Sequence, residues 1–385
     1  MSLMEKLLNE VTGFFAIHNF IDMVRTRDYH ALRTMAGIDA IVGPLLPILL
    51  VIELIYTLIL KRFTAAQYKI PFFTYVFNRL MKHFVTIVLV TWIFGLLYPL
   101  SPIRSKPTWY WLIYGYIVWE LGHFIYHYLG HKVRLFWCLH STHHAPEHMN
   151  LFVSHSHFFL EGAYADIIRT SVCALLGVNF PLFLFIMFID TTWGNFIHIG
   201  ENIIPDGRLG FLNRIILTPS HHRVHHAKNP LYMDTNFCNL LNIWDRLFGT
   251  YRPELDAIKP VYGITRETKG SFFQAYFGEF IALGKDFYKA PGLGNKFLYL
   301  IKPPGWSHTG DHKTSTVVRQ RWLEEQQEAG QGLELEIRTD SQPQAGDIGM
   351  LQVSKAFYKI EPENGEDIID PDAPLYIRPT GKRIR

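Results

Sequence analysis

Three short groups of histidines are the residues most able to do chemistry in this chain. They are His127-Tyr-Leu-Gly-His131, His140-Ser-Thr-His143-His144 and His222-Arg-Val-His225-His226. Within each group the histidines lie three or four positions apart, a spacing that places side chains on one face of a helix. Neutral imidazole is the commonest metal ligand in proteins. The pattern therefore predicts a catalytic metal centre with eight ligands: His127, His131, His140, His143, His144, His222, His225 and His226.

Each group also has a simpler interpretation, in which the histidines only form hydrogen bonds at the edge of an apolar region. His127 and His131 taken alone fit that interpretation as well as they fit metal binding. The two successive His-x-x-His-His groups change the balance, because so many imidazoles are costly to bury unless they are paired or coordinated. Metal coordination is therefore the preferred interpretation for all eight.

The other histidines fit this site less well. We expect His198 to be a ninth ligand, with Asn195 three residues before it as a weaker candidate. His123 lies one helical turn before the first group and is expected beside the ligands rather than among them. His221 points away from His222 on a helix, so it is an alternative to that ligand. Eight histidines carry no assignment: His18, His30, His83, His148, His155, His157, His308 and His312.

The number and type of these ligands indicate the metal. Catalytic zinc takes three protein ligands and structural zinc usually four, so nine histidines exceed the need of one zinc ion. Two metal ions are therefore indicated. A shell rich in imidazole and poor in carboxylate, with an open position, suits iron that binds dioxygen. Several carboxylates are candidates to hold histidine N–H groups, with ordinary surface charge as an equally good alternative: Glu120, Glu147, Glu161, Glu201 and Asp234.

Composition favours a protein embedded in a membrane. The 385 residues are 49% hydrophobic and 15% aromatic, with a mean hydropathy of +0.07 and a net charge of +3. Basic residues are scattered rather than gathered in a stripe, which argues against nucleic acid as a partner. The three cysteines have no CxxC spacing and predict no disulfide framework. The first 40 residues lack the features of a cleaved secretory signal.

Four apolar stretches are long enough to cross a bilayer, which needs about 20 helical residues. The loop between the first two stretches carries Lys61, Arg62, Arg79 and Lys82, so the positive-inside tendency makes that loop cytosolic. The third stretch would then return the chain to the cytosolic face just before His127. The four stretches cover residues 41–60, 84–100, 108–126 and 163–197.

The fourth stretch is too long for one ordinary crossing. It contains Gly177-Val-Asn179-Phe-Pro181, which predicts a break in the helix and therefore a helical hairpin. A hairpin returns the chain to the face that it left, so His198 and the third histidine group would meet the first two groups. The fold expected is all-α, an integral membrane bundle of about four to five crossings with a cytosolic, histidine-rich cap.

The remainder of the chain is divided by composition. Residues 271–289 predict an amphipathic helix that lies on the membrane interface. From Asp311 the chain turns polar, with a short helix predicted near Arg321 and weak order elsewhere. Four regions result: an N-terminal interfacial segment, 1–40; the membrane catalytic domain, 41–254; a C-terminal interfacial helix region, 255–310; and a weakly ordered tail, 311–385.

The order of the three histidine groups between apolar hairpins resembles the fatty acid hydroxylase and sterol desaturase superfamily of membrane di-iron oxygenases. The similarity covers roughly residues 41–306 and is greatest to the alkylglycerol monooxygenase branch. Five segments carry that finer similarity: Thr218-Pro-Ser-His-His222-Arg-Val-His225-His226, Asp234-Thr-Asn236, Ile243-Trp-Asp245-Arg-Leu-Phe248-Gly249-Thr250, Val261-Tyr-Gly263 and Pro304-Gly305-Trp306.

This resemblance implies a four-helix membrane body whose cytosolic cap gathers the nine histidines around two non-haem iron ions. Members of the superfamily hydroxylate or desaturate C–H bonds of lipid chains or sterols. The alkylglycerol branch oxidises the carbon next to the ether oxygen of glyceryl ethers, with tetrahydrobiopterin as reductant. This chain has no His-Pro-Gly-Gly segment of the fused cytochrome b5 type, so an external donor, either a pterin or a redox protein, is expected.

The function expected is therefore hydroxylation of a membrane lipid, with a sterol or fatty acyl desaturase or hydroxylase as the alternative within the superfamily. The membrane would be the endoplasmic reticulum in a eukaryote and the inner membrane in a bacterium. Two other classes compete with an oxygenase. A metal transporter should place its ligands near the middle of the membrane, and a zinc hydrolase should need fewer histidines and a carboxylate.

Overall fold

The computed structural model of the chain describes residues 25–26, 45–81 and 86–328. Within these residues the regular secondary structure is helical, joined by irregular segments, and contains no β-strand, only isolated bridges such as that between Ile216 and Leu241. The predicted all-α class is therefore confirmed for the described part of the chain. The predictions for residues 1–40 lie outside these residues except at 25–26, as does the tail beyond Glu328.

Twelve α-helices within residues 45–328 position the histidines. A 3-10 turn, Leu151–His155, lies between the fifth and the sixth helix. The helices are α1 (Leu45–Ile59), α2 (Ala65–Met81), α3 (Thr86–Leu97), α4 (Trp109–Lys132), α5 (Arg134–His144), α6 (Glu161–Leu175), α7 (Phe180–Phe196), α8 (Pro219–His225), α9 (Ile243–Leu247), α10 (Phe272–Lys289), α11 (Gly292–Ile301) and α12 (Ser315–Glu328).

The four apolar stretches fall on α1, on α3, on α4 and on the pair α6 and α7. Among the helices of residues 45–81 and 86–328, none combines the length and the apolar character needed to cross a bilayer. The membrane bundle accordingly stays a prediction.

The predicted helical hairpin is present. Helix α6 ends at Leu175 and α7 begins at Phe180, with Gly177 between them at a φ of 71°. The turn is held by backbone hydrogen bonds, from Val178 N to the Cys173 carbonyl (2.9 Å) and from Gly177 N to the Ala174 carbonyl (3.1 Å). Pro181 lies in the first turn of α7, where a missing N–H costs nothing.

The largest hydrophobic core joins α3, α4, α6 and α7. Trp119 of α4 packs edge-on against Phe183 of α7 with ring centroids 5.3 Å apart, and Ile186 is fully buried beside them. A Cβ at Gly122 would lie 3.1 Å from the Cα of Arg169, so glycine allows α4 and α6 to approach closely. This core holds the first half of α4, and the first histidine group follows on the second half of the same helix.

The C-terminal helices pack against the histidine-bearing helices. Leu283 of α10 is buried against Cys138 of α5, and Leu323 of α12 is buried against Val224 of α8. The amphipathic helix expected over 271–289 is present as Phe272–Lys289, with the Ser271 hydroxyl accepting a hydrogen bond from Gln274 N at its start. The short helix expected near Arg321 is present as part of α12, whose Leu323 is buried, and the weak order expected for the rest of 311–385 stays a prediction.

The hairpin turn supplies a test of this packing. Replacing Gly177 with Ala should destabilise the fold by more than about 1–2 kcal/mol, the cost of a left-handed backbone, because the new Cβ would also overlap the Ile103 carbonyl. Gly284→Ala within α10 is the control, since open space surrounds that position and alanine favours a helix. Thermal unfolding of both purified variants is the measurement, and equal midpoints would contradict this account of the turn.

Candidate metal centre

Five histidines from three helices form the first cluster. The last two turns of α4 supply His127 and His131, α5 supplies His140 and His144, and α8 supplies His225. One ring nitrogen of each lies within 4.8 Å of those of the others. All five are buried, with at most 5% of the residue exposed. We refer to this group as the five-histidine cluster.

Four further histidines form the second cluster. His143 comes from α5, His222 and His226 lie at the two ends of one turn of α8, and His198 follows α7. Their ring nitrogens also lie within 4.8 Å of one another, and none of these residues is more than 7% exposed. We refer to this group as the four-histidine cluster. The nine histidines expected as metal ligands are thus the nine that the two clusters contain.

The His-x-x-His-His spacing explains how two short helices serve both clusters. On α5 the i and i+4 residues His140 and His144 enter the five-histidine cluster, and His143 enters the other. On α8 the division is reversed, because His222 and His226 enter the four-histidine cluster and His225 enters the first. The clusters are in contact, with the rings of His144 and His226 stacked at 4.4 Å.

A histidine that belongs to neither cluster caps the N-terminus of α8. Thr218 and His221 form a reciprocal capping box, and the Nδ1 atom of His221 accepts a hydrogen bond from Thr218 N (3.2 Å). The other ring nitrogen, Nε2, lies 2.8 Å from the Tyr251 hydroxyl. Burial lowers the pKa of His221 to about 3, which keeps the ring neutral and able to accept. Both nitrogens are therefore engaged outside the clusters, and His222 is the residue that enters one.

Backbone carbonyls fix the tautomer of three cluster histidines. The Nδ1 atoms of His127, His225 and His198 donate to the carbonyl oxygens of Phe237 (2.8 Å), Thr235 (2.8 Å) and Gly194 (2.6 Å), respectively. A carbonyl oxygen can only accept, so in these neutral rings the proton is on Nδ1 and the lone pair is on Nε2. The Nε2 atoms face the clusters with a free lone pair, as metal coordination requires.

The resulting nitrogen contacts need a cation between them. His140 donates from Nδ1 to Glu161 Oε1 (2.5 Å), so its Nε2 also carries a lone pair, yet that atom lies 3.0 Å from Nε2 of His127. Two lone pairs cannot form a hydrogen bond with each other. Burial and the neighbouring rings lower the pKa of His127 well below its ordinary value, which disfavours a proton as the cation. The donor set therefore fits metal ions that prefer imidazole.

Two buried nitrogens support the same interpretation. Nε2 of His131 and Nε2 of His225 have no hydrogen-bond partner, although each ring is held through Nδ1. A buried polar atom without a partner costs about 1–3 kcal/mol. Both atoms belong to the five-histidine cluster, where a bound metal ion would remove this cost.

Two of the five candidate carboxylates contact cluster histidines. Asp234 Oδ1 lies 3.2 Å from Nδ1 of His131, and Lys132 is paired with its other oxygen at 2.8 Å. Burial alone would raise the pKa of Glu161, but His157 and His140 beside it lower that pKa to about 2. Glu161 therefore stays ionised and accepts from His140 across the whole physiological range of pH.

The other three candidate carboxylates lie away from the cluster histidines. Glu120 accepts hydrogen bonds from the backbone N–H groups of Asn239, Leu240 and Leu241, at 2.6–3.0 Å. Glu201 contacts the Tyr262 hydroxyl, and Glu147 is exposed. Glu120 thus holds the chain just after Phe237, whose carbonyl holds His127.

Sequence reasoning missed His157. Its ring stacks on that of His143 with centroids 4.1 Å apart, and its Nδ1 lies 3.0 Å from Glu161 Oε2. Glu161 therefore bridges His157 and the cluster ligand His140. The spacing of His157 and Glu161, four residues apart, is the signal that could have found this pair.

Two cavities reach the clusters, and no residue lines both. The first, of about 290 Å³, borders cluster histidines that include His127 and His198, together with Asn78, Thr191 and Asn195. The second, of about 340 Å³, borders His131, His144, His225 and His226. The first cavity borders histidines of both clusters together with apolar residues such as Phe158, which makes it a candidate space for a substrate, and we refer to it as the catalytic cavity.

Comparison with known proteins agrees with this arrangement. Residues 112–250 match the family model described as fatty acid hydroxylase. This segment carries all nine cluster histidines, so the part of the chain that is similar to the family is the part that forms both clusters. The resemblance inferred from the histidine groups is confirmed.

Curated relatives refine the comparison. Alkylglycerol monooxygenases from Xenopus tropicalis and Homo sapiens are 34% and 33% identical, each over 53% of this chain. The ornithine lipid hydroxylase OlsE of Rhizobium tropici is 28% identical over 43% of this chain and 49% of its own length. The chain spans about 44% of the length of those two alkylglycerol monooxygenases. No solved structure matches the chain significantly.

Removing one ligand tests the metal assignment. His225→Ala should lower the bound metal, expected to be iron, by about one ion per chain, because the five-histidine cluster loses a buried ligand. His148→Ala is the matched control, since His148 is exposed and lies in neither cluster. Elemental analysis of both purified proteins is the measurement. Full iron content in His225→Ala would show that the ligand set is wrong.

Glu161→Gln tests the hydrogen bond by which Glu161 orients His140. The substitution keeps the size of the side chain but removes the charge that accepts from His140 and His157, and such a change should weaken metal affinity about 10–100-fold. Glu147→Gln changes an exposed carboxylate in the same way and should leave affinity unchanged. Competition with a chelator measures both, and equal metal loss from the two variants would exclude the role given to Glu161.

Proposed function

We propose that this chain is an iron-dependent monooxygenase that hydroxylates a C–H bond of a membrane lipid. The observation that carries the proposal is the pair of histidine clusters, nine buried imidazoles with inward-facing nitrogens, inside a fatty acid hydroxylase domain. The nine histidines are the proposed ligands of two iron ions. The eight of the three sequence groups are also the catalytic set, because the reaction takes place at the metal they hold.

The reaction balances as one dioxygen, two electrons and two protons consumed, with one oxygen atom inserted into the C–H bond and one water released. Iron bound by the clusters would supply the activation of dioxygen. The electrons come from an external donor, either tetrahydrobiopterin or a redox protein. Names of relatives support the substrate class, since they include alkylglycerol monooxygenases and an ornithine lipid hydroxylase.

The side chains around the clusters orient the centre and exclude water. Burial lowers the pKa of His131 to about 4 and that of His198 to about 3, so both rings stay neutral and available as ligands at neutral pH. Asp234 and the Gly194 carbonyl fix the direction of these two rings. The substrate C–H group would lie in the catalytic cavity, which reaches both clusters.

Exposed apolar faces support a location in the membrane. Residues on one face of α1, three or four positions apart, are 44–70% exposed, and residues on one face of α3 are 56–72% exposed. Rows of exposed apolar side chains of this kind are typical of membrane or protein contact. The rows are Ile48, Ile52, Ile55 and Ile59 on α1, and Val88, Trp92 and Leu96 on α3.

A multi-pass membrane domain over 41–254 with a cytosolic active site is therefore part of the proposal. The membrane is the endoplasmic reticulum if the cell is eukaryotic and the inner membrane if it is bacterial. Glyceryl ethers are the first substrate to test, because most of the similar proteins compared above are alkylglycerol monooxygenases. A sterol or a fatty acyl chain is the alternative substrate.

Isotope labelling tests this function. Membranes containing the protein should insert one atom of labelled dioxygen into a glyceryl ether, and turnover should require both iron and a reductant. The test uses glyceryl ethers, sterols and fatty acyl lipids in parallel, with and without tetrahydrobiopterin. Mass spectrometry of the products is the measurement, and the His225→Ala protein is the control. Stoichiometric zinc with turnover that needs no dioxygen would refute the proposal, as would metal uptake into proteoliposomes without lipid oxidation.

A further inference from the structure

A third cavity lies outside the metal centre, between α1 and α2. It has a volume of about 560 Å³, which is within the usual range for a small-molecule site. Leu50, Val51 and Leu54 line it from α1, and Phe72 and Phe73 line it from α2. Lys69 is the only charged residue of its lining. We refer to this cavity as the apolar groove.

The apolar groove and the catalytic cavity share two structural elements. Helix α2 contributes Phe73 to the groove and Asn78 to the catalytic cavity, five residues or about 7.5 Å along the helix axis. The 3-10 turn Leu151–His155 contributes Phe152 to the groove and Ser154 to the catalytic cavity. The two cavities therefore lie side by side along α2 and this turn, which we together call the seam.

Hydrogen bonds tie this seam to the metal centre. The Glu53 carboxylate of α1 accepts from Leu151 N (2.8 Å) and from Gly200 N (3.3 Å), two residues after His198. Asn78 donates to the His157 carbonyl (2.6 Å) and accepts from the Tyr276 hydroxyl (2.7 Å). The walls of the groove are therefore fixed relative to the four-histidine cluster.

We propose that the apolar groove binds the alkyl chain of the lipid substrate while the polar end of the same molecule occupies the catalytic cavity. We place the two ends of the lipid in this way because of the side chains that line each cavity. Asn195 lies beside the metal ligands with Asn78 and Thr191, whose side chains keep further hydrogen-bonding capacity beyond the bonds they already form, whereas aliphatic and aromatic side chains dominate the groove. The oxidised carbon is then one near the polar end of the lipid, and the groove sets the preferred chain length. This inference rests on the proposed function.

Photo-crosslinking tests binding without turnover. A hexadecyl glyceryl ether with a diazirine at the end of its chain should label residues 50–73 of the iron-free protein, as mapped by peptide mass spectrometry. Phosphatidylcholine bearing the same group near the end of its acyl chain is the control for bulk lipid. Equal labelling by both probes, on the outward faces of α1 and α3, would show that the groove only contacts the bilayer.

Filling the groove tests selectivity for chain length. Leu54→Trp should lower kcat/KM for a hexadecyl glyceryl ether about tenfold or more and leave that for an octyl ether unchanged. Ile55→Trp is the matched control, because the adjacent Ile55 does not line the groove. Ala65→Leu is a smaller filling variant if Leu54→Trp fails to fold. Iron content and thermal unfolding verify each protein.

The two measurements separate the inference from the proposed function. Labelling of the groove without any oxidation of lipid would refute the function and leave the binding site standing. If Leu54→Trp and Ile55→Trp change kcat/KM equally and the probe labels other residues, the groove is not the site of the alkyl chain. The proposed function would still stand.

Discussion

The structure depends on holding nine imidazole rings in a buried space with their nitrogen lone pairs directed at one another. His127 and His140 approach to 3.0 Å through nitrogens that cannot bond to each other. The surrounding chain must supply the force that keeps them there. For five of the nine rings it does so by giving Nδ1 an acceptor, which is a backbone carbonyl for His127, His198 and His225 and a carboxylate for His131 and His140.

This requirement accounts for the irregular chain between α8 and α9. Asp234 and Asn236 adopt positive φ values of 54° and 57°, which are less costly for Asp and Asn than for other residues. Asp245 accepts from the N–H groups of Phe237 and Cys238 (2.7 and 2.8 Å). These bonds position the carbonyls of Thr235 and Phe237, which hold His225 and His127. The segment is irregular because two carbonyls, two residues apart, must reach histidines from two different helices.

From the sequence, the residues and helices of the metal centre could be predicted better than the geometry of that centre. Helical spacing identified the three groups, and the break at Gly177 identified the hairpin that brings His198 to the same side. Spacing could not show that His143 and His225 cross into the cluster opposite their neighbours, because this depends on how α5 and α8 pack. His157 was also missed, because the stacking of its ring on that of His143 follows from tertiary packing and not from spacing.

The exchange of His143 and His225 makes the two clusters mechanically dependent. A rotation of α5 that moved His143 would also move His140 and His144, because all three extend from the same two turns of helix. The same holds for α8, so neither cluster can widen without changing the other. α10 and α12 pack directly on these two helices through Leu283 and Leu323. Helices outside residues 112–250, the segment that matches the family model, therefore pack on the two helices that carry histidines of both clusters.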